Sequence, residues 1–229
     1  EGLAMANVDT VEVLVKGRGG HGAAPHLTID PVVIAAKLIL DLQTIISREK
    51  DPVEPGVVTV GSIHGGTKAN IIPNEVKLQI TVRSTTDKNR KMILEAIERK
   101  AKAAAASENA PEPEVTVIND EFTPKLENDP ELTRKTVKLF EEVLGKDKVH
   151  PRPTIMGGED FSRFGLNGEI PVFMYFLGSV PPERVAASKK EGGRPLPGAH
   201  TDGYYPLPEP TIRTGVKTMS LAVLNLVGK

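Results

Sequence analysis

The sequence predicts a ferredoxin-like α+β domain followed by part of a larger α/β domain, and three observations carry that reading. Strand and helix periodicities alternate as β-α-β-β-α-β over about the first 120 residues, a split βαβ order. A sheet of that order with both helices on one face can close a core by itself. The remainder has helices and one continuous apolar stretch, Pro171 to Leu177 (PVFMYFL), of the kind buried on both faces of a parallel sheet.

Each element has a local cause. Thr10 to Lys16 (TVEVLVK) alternates apolar and polar residues, which is the period of a half-buried strand. Val8 to Lys16 already reads as an interior strand, and the chain opens on Glu1 rather than Met, which suggests a processed or truncated product. Gly17 to Gly22 (GRGGHG) is a glycine-rich turn. Asp30-Pro31 opens a helix, with Asp as N-cap and Pro at the first helical position. Its expected apolar stripe is Val32, Ala35, Ala36, Ile39, Leu42, Ile45 and Ile46. Val57 to Ile63 and Val76 to Arg83 are further strands, joined by a long connection from His64 to Asn74. A second helix, capped at or beside Asp87, runs through Met92, Ile93, Ala96 and Ile97 to Ala106, and Glu114 to Ile118 is the fourth strand.

Beyond it, Asp129-Pro130 starts a helix through Leu132, Val137, Phe140 and Leu144. Met156 to Phe164 (MGGEDFSRF) is a glycine turn leading into a short helix, and Ser179 to Pro197 is a polar loop. Glu209-Pro210 starts a last helix with apolar Ile212, Val216, Met219, Val223, Leu224 and Val227. One buried strand makes no sheet, so this second region reads as a piece of a domain whose other strands lie elsewhere. The division is residues 1–8 as a hinge, 9–120 as the ferredoxin-like domain and 121–229 as the partial one.

Composition excludes several classes. The 229 residues carry a formal charge of −1, too little to draw the chain to nucleic acid or an anionic membrane. There is no cysteine, hence no disulfide, no thiolate nucleophile and no Cys-ligated zinc within the chain. No apolar run approaches the roughly 20 residues that span a bilayer, and no signal peptide is visible at the start. The compartment stays open.

The residues that could carry chemistry sit in loops. His21 lies between glycines, where it could donate to an oxyanion or bind a metal, or be a solvated turn histidine. Asn70, in Ala69 to Pro73 (ANIIP), can both donate and accept, or serve turn geometry alone. Arg83 ends its strand with a fork suited to a carboxylate, or is a solvated strand-end arginine. Gly157-Gly158-Glu159-Asp160 opens a short helix whose free N–H groups suit an anion, or whose acids cap it. His200 follows a Pro-Gly-Ala loop, and one histidine cannot hold a zinc ion. His150 reads as structural.

Taken together, GRGGHGAAPH followed by Asp30-Pro31, then ANIIP with Arg83 beyond it, MGGEDF, and a histidine loop before a terminal helix resemble the amidohydrolase branch of the M20 metallopeptidases. That branch includes hippurate hydrolases, N-acyl-amino-acid deacylases, carboxypeptidases and auxin-conjugate hydrolases. The resemblance implies a ferredoxin-like lid, which also makes a homodimer, inserted in an α/β zinc-peptidase-like catalytic domain holding two divalent metal ions, zinc or manganese-like. It implies His21 and Asn70 as catalytic groups at the oxyanion, His21 reaching across the dimer. It implies Arg83, Gly157 and Gly158 at the substrate carboxylate and His200 as a metal ligand, and it leaves His26 without a role. The family's other metal ligands precede the lid and are absent here, so this chain alone is expected to hold no metal pair and to be inactive.

The expected reaction is hydrolysis of the amide bond of an N-acyl amino acid or a similar carboxylate-bearing substrate. The alternative is a non-catalytic ferredoxin-like oligomerisation or regulatory module, since fold alone does not fix function. RNA recognition shares the strand order, but the outer strands carry no aromatic residues for base stacking.

Overall fold

A computed structural model describes residues 1–228, which form two compact units. The first comprises Glu1–Asp129 and Arg152–Val172, and the second comprises Pro130–Pro151 and the described residues from Phe173 onward. In the first unit the elements are β1 (Gly2–Met5), β2 (Asn7–Lys16), β3 (Gly20–His21), α1 (Pro31–Thr44), β4 (Gly56–His64), β5 (Ile71–Ile72), β6 (Glu75–Ser84), α2 (Asp87–Ser107), β7 (Glu114–Val117) and β8 (Leu126–Asn128).

The main sheet has four antiparallel strands in the order β4-β6-β2-β7, the ferredoxin-like arrangement expected from the sequence. Alternation along β2 sends Val11, Val13 and Val15 inward, and β6 answers with Val76, Leu78, Ile80 and Val82. Both helices cover that face: Ile34, Leu38 and Leu42 of α1 and Ile93, Ile97 and Ala101 of α2 close one core with the strands. Each such Val, Leu or Ile contributes about 1.5–3 kcal/mol on burial, so this core is the main source of stability in the unit.

The caps follow the sequence. The Asp30 carboxylate accepts from the Val32 N–H at 2.9 Å with Pro31 at the first helical position, and the Thr86 hydroxyl accepts from the Asn89 N–H. The apolar stripe of α1 differs from expectation. Ile34 and Leu38 are buried, while Val32 and Ala36 face solvent. Turning the helix by one position brings larger side chains onto the sheet at i, i+4 spacing, which removes more apolar area from water. A π turn over Ile45–Glu49 then carries the chain toward β4.

On the core side of β2 lies one charged group, Asp9, only 1% exposed. It accepts from Arg90 of α2 through Nη2 at 2.6 Å and Nε at 3.0 Å, a bidentate pair, and the Arg90 guanidinium lies 4.0 Å over the Phe122 ring. This satisfies a carboxylate that would otherwise be buried without a counter-charge.

In the second unit, α3 (Pro130–Leu144), α4 (Pro182–Ser188) and α5 (Pro208–Val227) are the helices. Pro171 to Leu177, expected as a buried parallel strand, enters no ladder. A parallel strand needs hydrogen-bonding neighbours, and here the side chains of this stretch pack on helices instead. Tyr175 meets the Phe140 ring edge-on at 5.1 Å and its hydroxyl is 2.7 Å from that of Thr218 on α5. Of α5 only Thr218 is buried. Ile212, Val216, Met219, Val223, Leu224 and Val227, its expected apolar positions, are all exposed. Among the described residues, no helix is long and apolar enough to cross a membrane.

Candidate functional site

The structure brings the sequence's candidate residues together as two pairs. The first pair lies on a small ribbon. β3 and β5 are antiparallel, with His21 opposite Ile71, and the Gly22 N–H donates to the Asn70 carbonyl at 2.8 Å. His21 and Asn70 are thus neighbours, both exposed. The glycines allow this closeness, because a Cβ on Gly19 would stand 2.5 Å from the Ile72 carbonyl oxygen. The His21 ring is oriented by its own loop: Nδ1 accepts from the Ala23 N–H at 3.0 Å. A neutral imidazole holding that acceptor carries its proton on Nε2, so His21 presents a donor outward.

The second pair lies at the other end of the sheet. Arg83 is on the outer face of β6, opposite Val8 on one side and Val57 on the other. It is half-buried, and desolvation pushes its pKa below the ordinary arginine value while leaving it a cation at neutral pH. Among the described residues no carboxylate neutralises it. Beside it runs Gly157-Gly158. The Gly157 carbonyl accepts from the Ala6 N–H at 3.0 Å, and a Cβ placed on Gly158 would lie 3.4 Å from Arg83 Nη1. A half-buried, unpaired guanidinium beside a close backbone turn can receive an anion, and a planar fork of this kind matches a carboxylate.

The two pairs are far apart within one chain. Eight strand positions separate Glu75, where the ribbon joins β6, from Arg83, about 26 Å at roughly 3.3 Å per residue. No small substrate spans that length.

The remaining histidines stand apart. His200 is exposed in a turn before α5, and His26, His64 and His150 are exposed as well. Among the described residues no group of three or more His, Cys, Asp or Glu side chains is placed to hold a metal ion. The described residues by themselves therefore do not complete a metal site. An open concavity of about 600 Å³ on the outer sheet face is lined by His64, Gly66, Ile71, Pro73 and Lys77. It includes none of His21, Asn70 and Arg83.

Sequence reasoning missed Val8, which lies against Gly158 and beside Arg83, and Met5, whose Cε would be 3.1 Å from a Cβ on Gly157. Strand alternation places Val8 outward, but nothing in a valine signals what it supports.

The first unit thus joins a four-stranded ferredoxin-like sheet with a free edge to an imidazole–amide ribbon at one end and an unpaired guanidinium at the other. Residues 2–109 match the family M20_dimer, the peptidase dimerisation domain. The chain thus carries a dimerisation domain of the M20 peptidase family. It is 35% identical over 179 residues to thermostable carboxypeptidase 2 of Saccharolobus solfataricus, covering 78% of this chain and 44% of that protein. It is 38% identical over 177 residues to N-acetyldiaminopimelate deacetylase of Leuconostoc citreum, covering 77% and 44%. The crystal structure of the Bacillus subtilis YXEP protein, a dinuclear metal binding peptidase from the M20 family, superposes with a TM-score of 0.69 at 25% identity, covering 100% of this chain and 53% of that one. The chain spans about half the length of the relatives it matches.

Proposed function

We propose that this chain supplies the substrate-holding and dimer-forming part of an M20-type, metal-dependent amidohydrolase acting on the amide bond of N-acyl amino acids or similar carboxylate-bearing substrates. The observation that carries the reading is the unpaired, half-buried Arg83 at one end of a sheet whose other end bears His21 and Asn70.

The sheet's free edge suggests how the ends meet. β4 is an outer strand with nine residues, and Thr59, Gly61, Ile63 and His64 along it are exposed. A second copy pairing antiparallel along this edge, about a two-fold axis, sets its His64 end beside this copy's Gly56 end. Val57 is the register partner of Arg83, and the partner's His64 leads into the loop that bears its Asn70. The partner's ribbon thereby approaches this copy's Arg83. In the resulting cleft Arg83 and the Gly157-Gly158 turn would bind the substrate carboxylate and fix the scissile amide. His21 Nε2–H and the Asn70 amide of the other copy would donate to the carbonyl oxygen as negative charge develops on it. His200 is the chain's candidate for a metal ligand, and the family's two divalent metal ions would be held chiefly by residues that this chain lacks.

The test is complementation in a full-length protein carrying this chain. His21→Ala and Arg83→Ala should each abolish amide hydrolysis. Mixing and re-forming the two variants should restore about a quarter of the wild-type rate, because half the dimers are mixed and each mixed dimer holds one intact site. No recovery on mixing, with dimers confirmed by ultracentrifugation, means that the two groups do not act across an interface.

A further inference from the structure

We propose that Val8 is a positioning residue for the carboxylate seat, a wedge on which the Gly158 turn and the Arg83 guanidinium rest together. The proposal deepens the reading given above and rests on Arg83 binding a carboxylate.

Three strands of backbone meet in one row here. Val8 is the register partner of Arg83 across β2 and β6, and both side chains project from the outer face. On its other flank Val8 exchanges two hydrogen bonds with Thr123, each 2.9 Å. Its backbone is held from both sides, and its β-branched side chain has little rotamer freedom. The Gly158 backbone then lies directly on the isopropyl group. A Cβ built on Gly158 would be 2.1 Å from Val8 Cγ2 and 3.3 Å from Val8 Cβ, as well as 3.4 Å from Arg83 Nη1.

On its other side the turn is tied by two hydrogen bonds: the Ala6 N–H donates to the Gly157 carbonyl at 3.0 Å, and the Ile155 N–H donates to the Ala4 carbonyl at 3.1 Å. A Cβ at 158 collides with Val8 Cγ2 while only reaching ordinary contact with Arg83 Nη1. With the Val8 backbone held, volume added at 158 lifts the turn off Val8 and out of its place beside the guanidinium, and volume removed at 8 lets the turn sink out of register with it. Glycine at 158 and valine at 8 are therefore one device: together they set the separation between the guanidinium fork and the backbone on which a carboxylate would sit.

The experiment uses this chain, with N-acetylglycine as the probe and N-acetylglycinamide as the control without a carboxylate. Binding is followed by NMR through the arginine side-chain resonances, and thermal melting reports folding. Gly158→Ala should raise the Kd for N-acetylglycine at least tenfold. Adding Val8→Ala to it should bring the Kd back to within threefold of the unsubstituted chain, since the second change restores the space taken by the first. Val8→Thr, which keeps the shape, should bind normally, and Val8→Ala alone should bind several-fold more weakly. The last two variants carry the test if Gly158→Ala fails to fold.

Two failures are distinguishable. If the unsubstituted chain shows no carboxylate-dependent binding, or Arg83→Ala leaves it unchanged, the carboxylate reading itself falls and the wedge with it. If Arg83→Ala abolishes binding but Gly158→Ala and Val8→Ala leave it within twofold, the seat stands and the wedge is wrong. A double variant no better than a folded Gly158→Ala would overturn the wedge as well.

Discussion

The ferredoxin-like core and helix α5 use the same apolar vocabulary and reach opposite outcomes. In the first unit, strands and helices that carry valine, isoleucine and leucine at regular spacing find one another, and Leu38, Leu78, Ile93 and Ile97 are fully buried. In the second unit, α5 repeats isoleucine, valine, methionine and leucine with helical spacing, yet Ile212, Val216 and Leu224 are each 63% exposed. The difference lies in partners. The β-α-β-β-α-β segment contains every layer its core needs, whereas among the described residues nothing lies over the apolar positions of α5. Periodicity states which face wants to be buried, and only the presence of a second layer decides whether it is.

The strongest way to break this comparison is through the charge in the well-packed unit. Arg90→Ala should cost about 3–5 kcal/mol, because it leaves the Asp9 carboxylate buried without a counter-charge. Urea denaturation measures the loss. A change under 1 kcal/mol would mean that water or another cation reaches Asp9 and that this part of the unit is not closed.

A sharper contrast comes from one substitution made in both regions. Leu38→Ala should destabilise by about 2–5 kcal/mol through lost burial and a residual cavity. Leu224→Ala should stay within about 0.5 kcal/mol, as exposed positions do. Equal costs at the two positions would show that α5 is covered in solution.

The smallest expected effect is on the solvent face of the sheet. Hydrogen bonds from Lys77 and Gln79 hold the Glu12 carboxyl below its ordinary 4.5. Because the folded value is depressed, the stabilisation is fully present above about 4.5 and fades as pH falls through the lower folded value. Glu12→Gln should therefore flatten the acid limb of the stability profile below 4.5 while leaving stability at pH 7 nearly unchanged, since exposed pairs contribute little. A clear loss of stability at pH 7 would mean that the pair is stronger than its exposure allows.

Much of the fold was legible because its signals are local. Asp30-Pro31 and Thr86-Asp87 mark helix starts by capping chemistry that needs no tertiary context. Alternation in TVEVLVK assigns a strand and its inward face at once. What was misread depended on neighbours. The phase of α1 turned on which side chains the sheet could accept, and Pro171 to Leu177 lacked the flanking strands that would have made it one. The short β3 and β5 escaped notice because two-residue strands have no period to read.

The candidate site divides the same way. His21, Asn70, Arg83 and the glycine pair announce themselves by residue type and loop composition, since few other side chains donate or carry charge in such places. Their grouping is a property of three dimensions. That Asn70 lies beside His21 follows from how the ribbon closes, and that Arg83 lies beside Gly158 follows from the 153–158 segment running along β1. By itself the sequence determined the strand order, the helix starts and the identity of the polar groups, because propensity, capping and side-chain chemistry act within a few residues. Tertiary structure alone decided that those groups fall into two pairs at opposite ends of one sheet, with a valine wedged beneath one of them, because register and packing join residues that the chain keeps far apart.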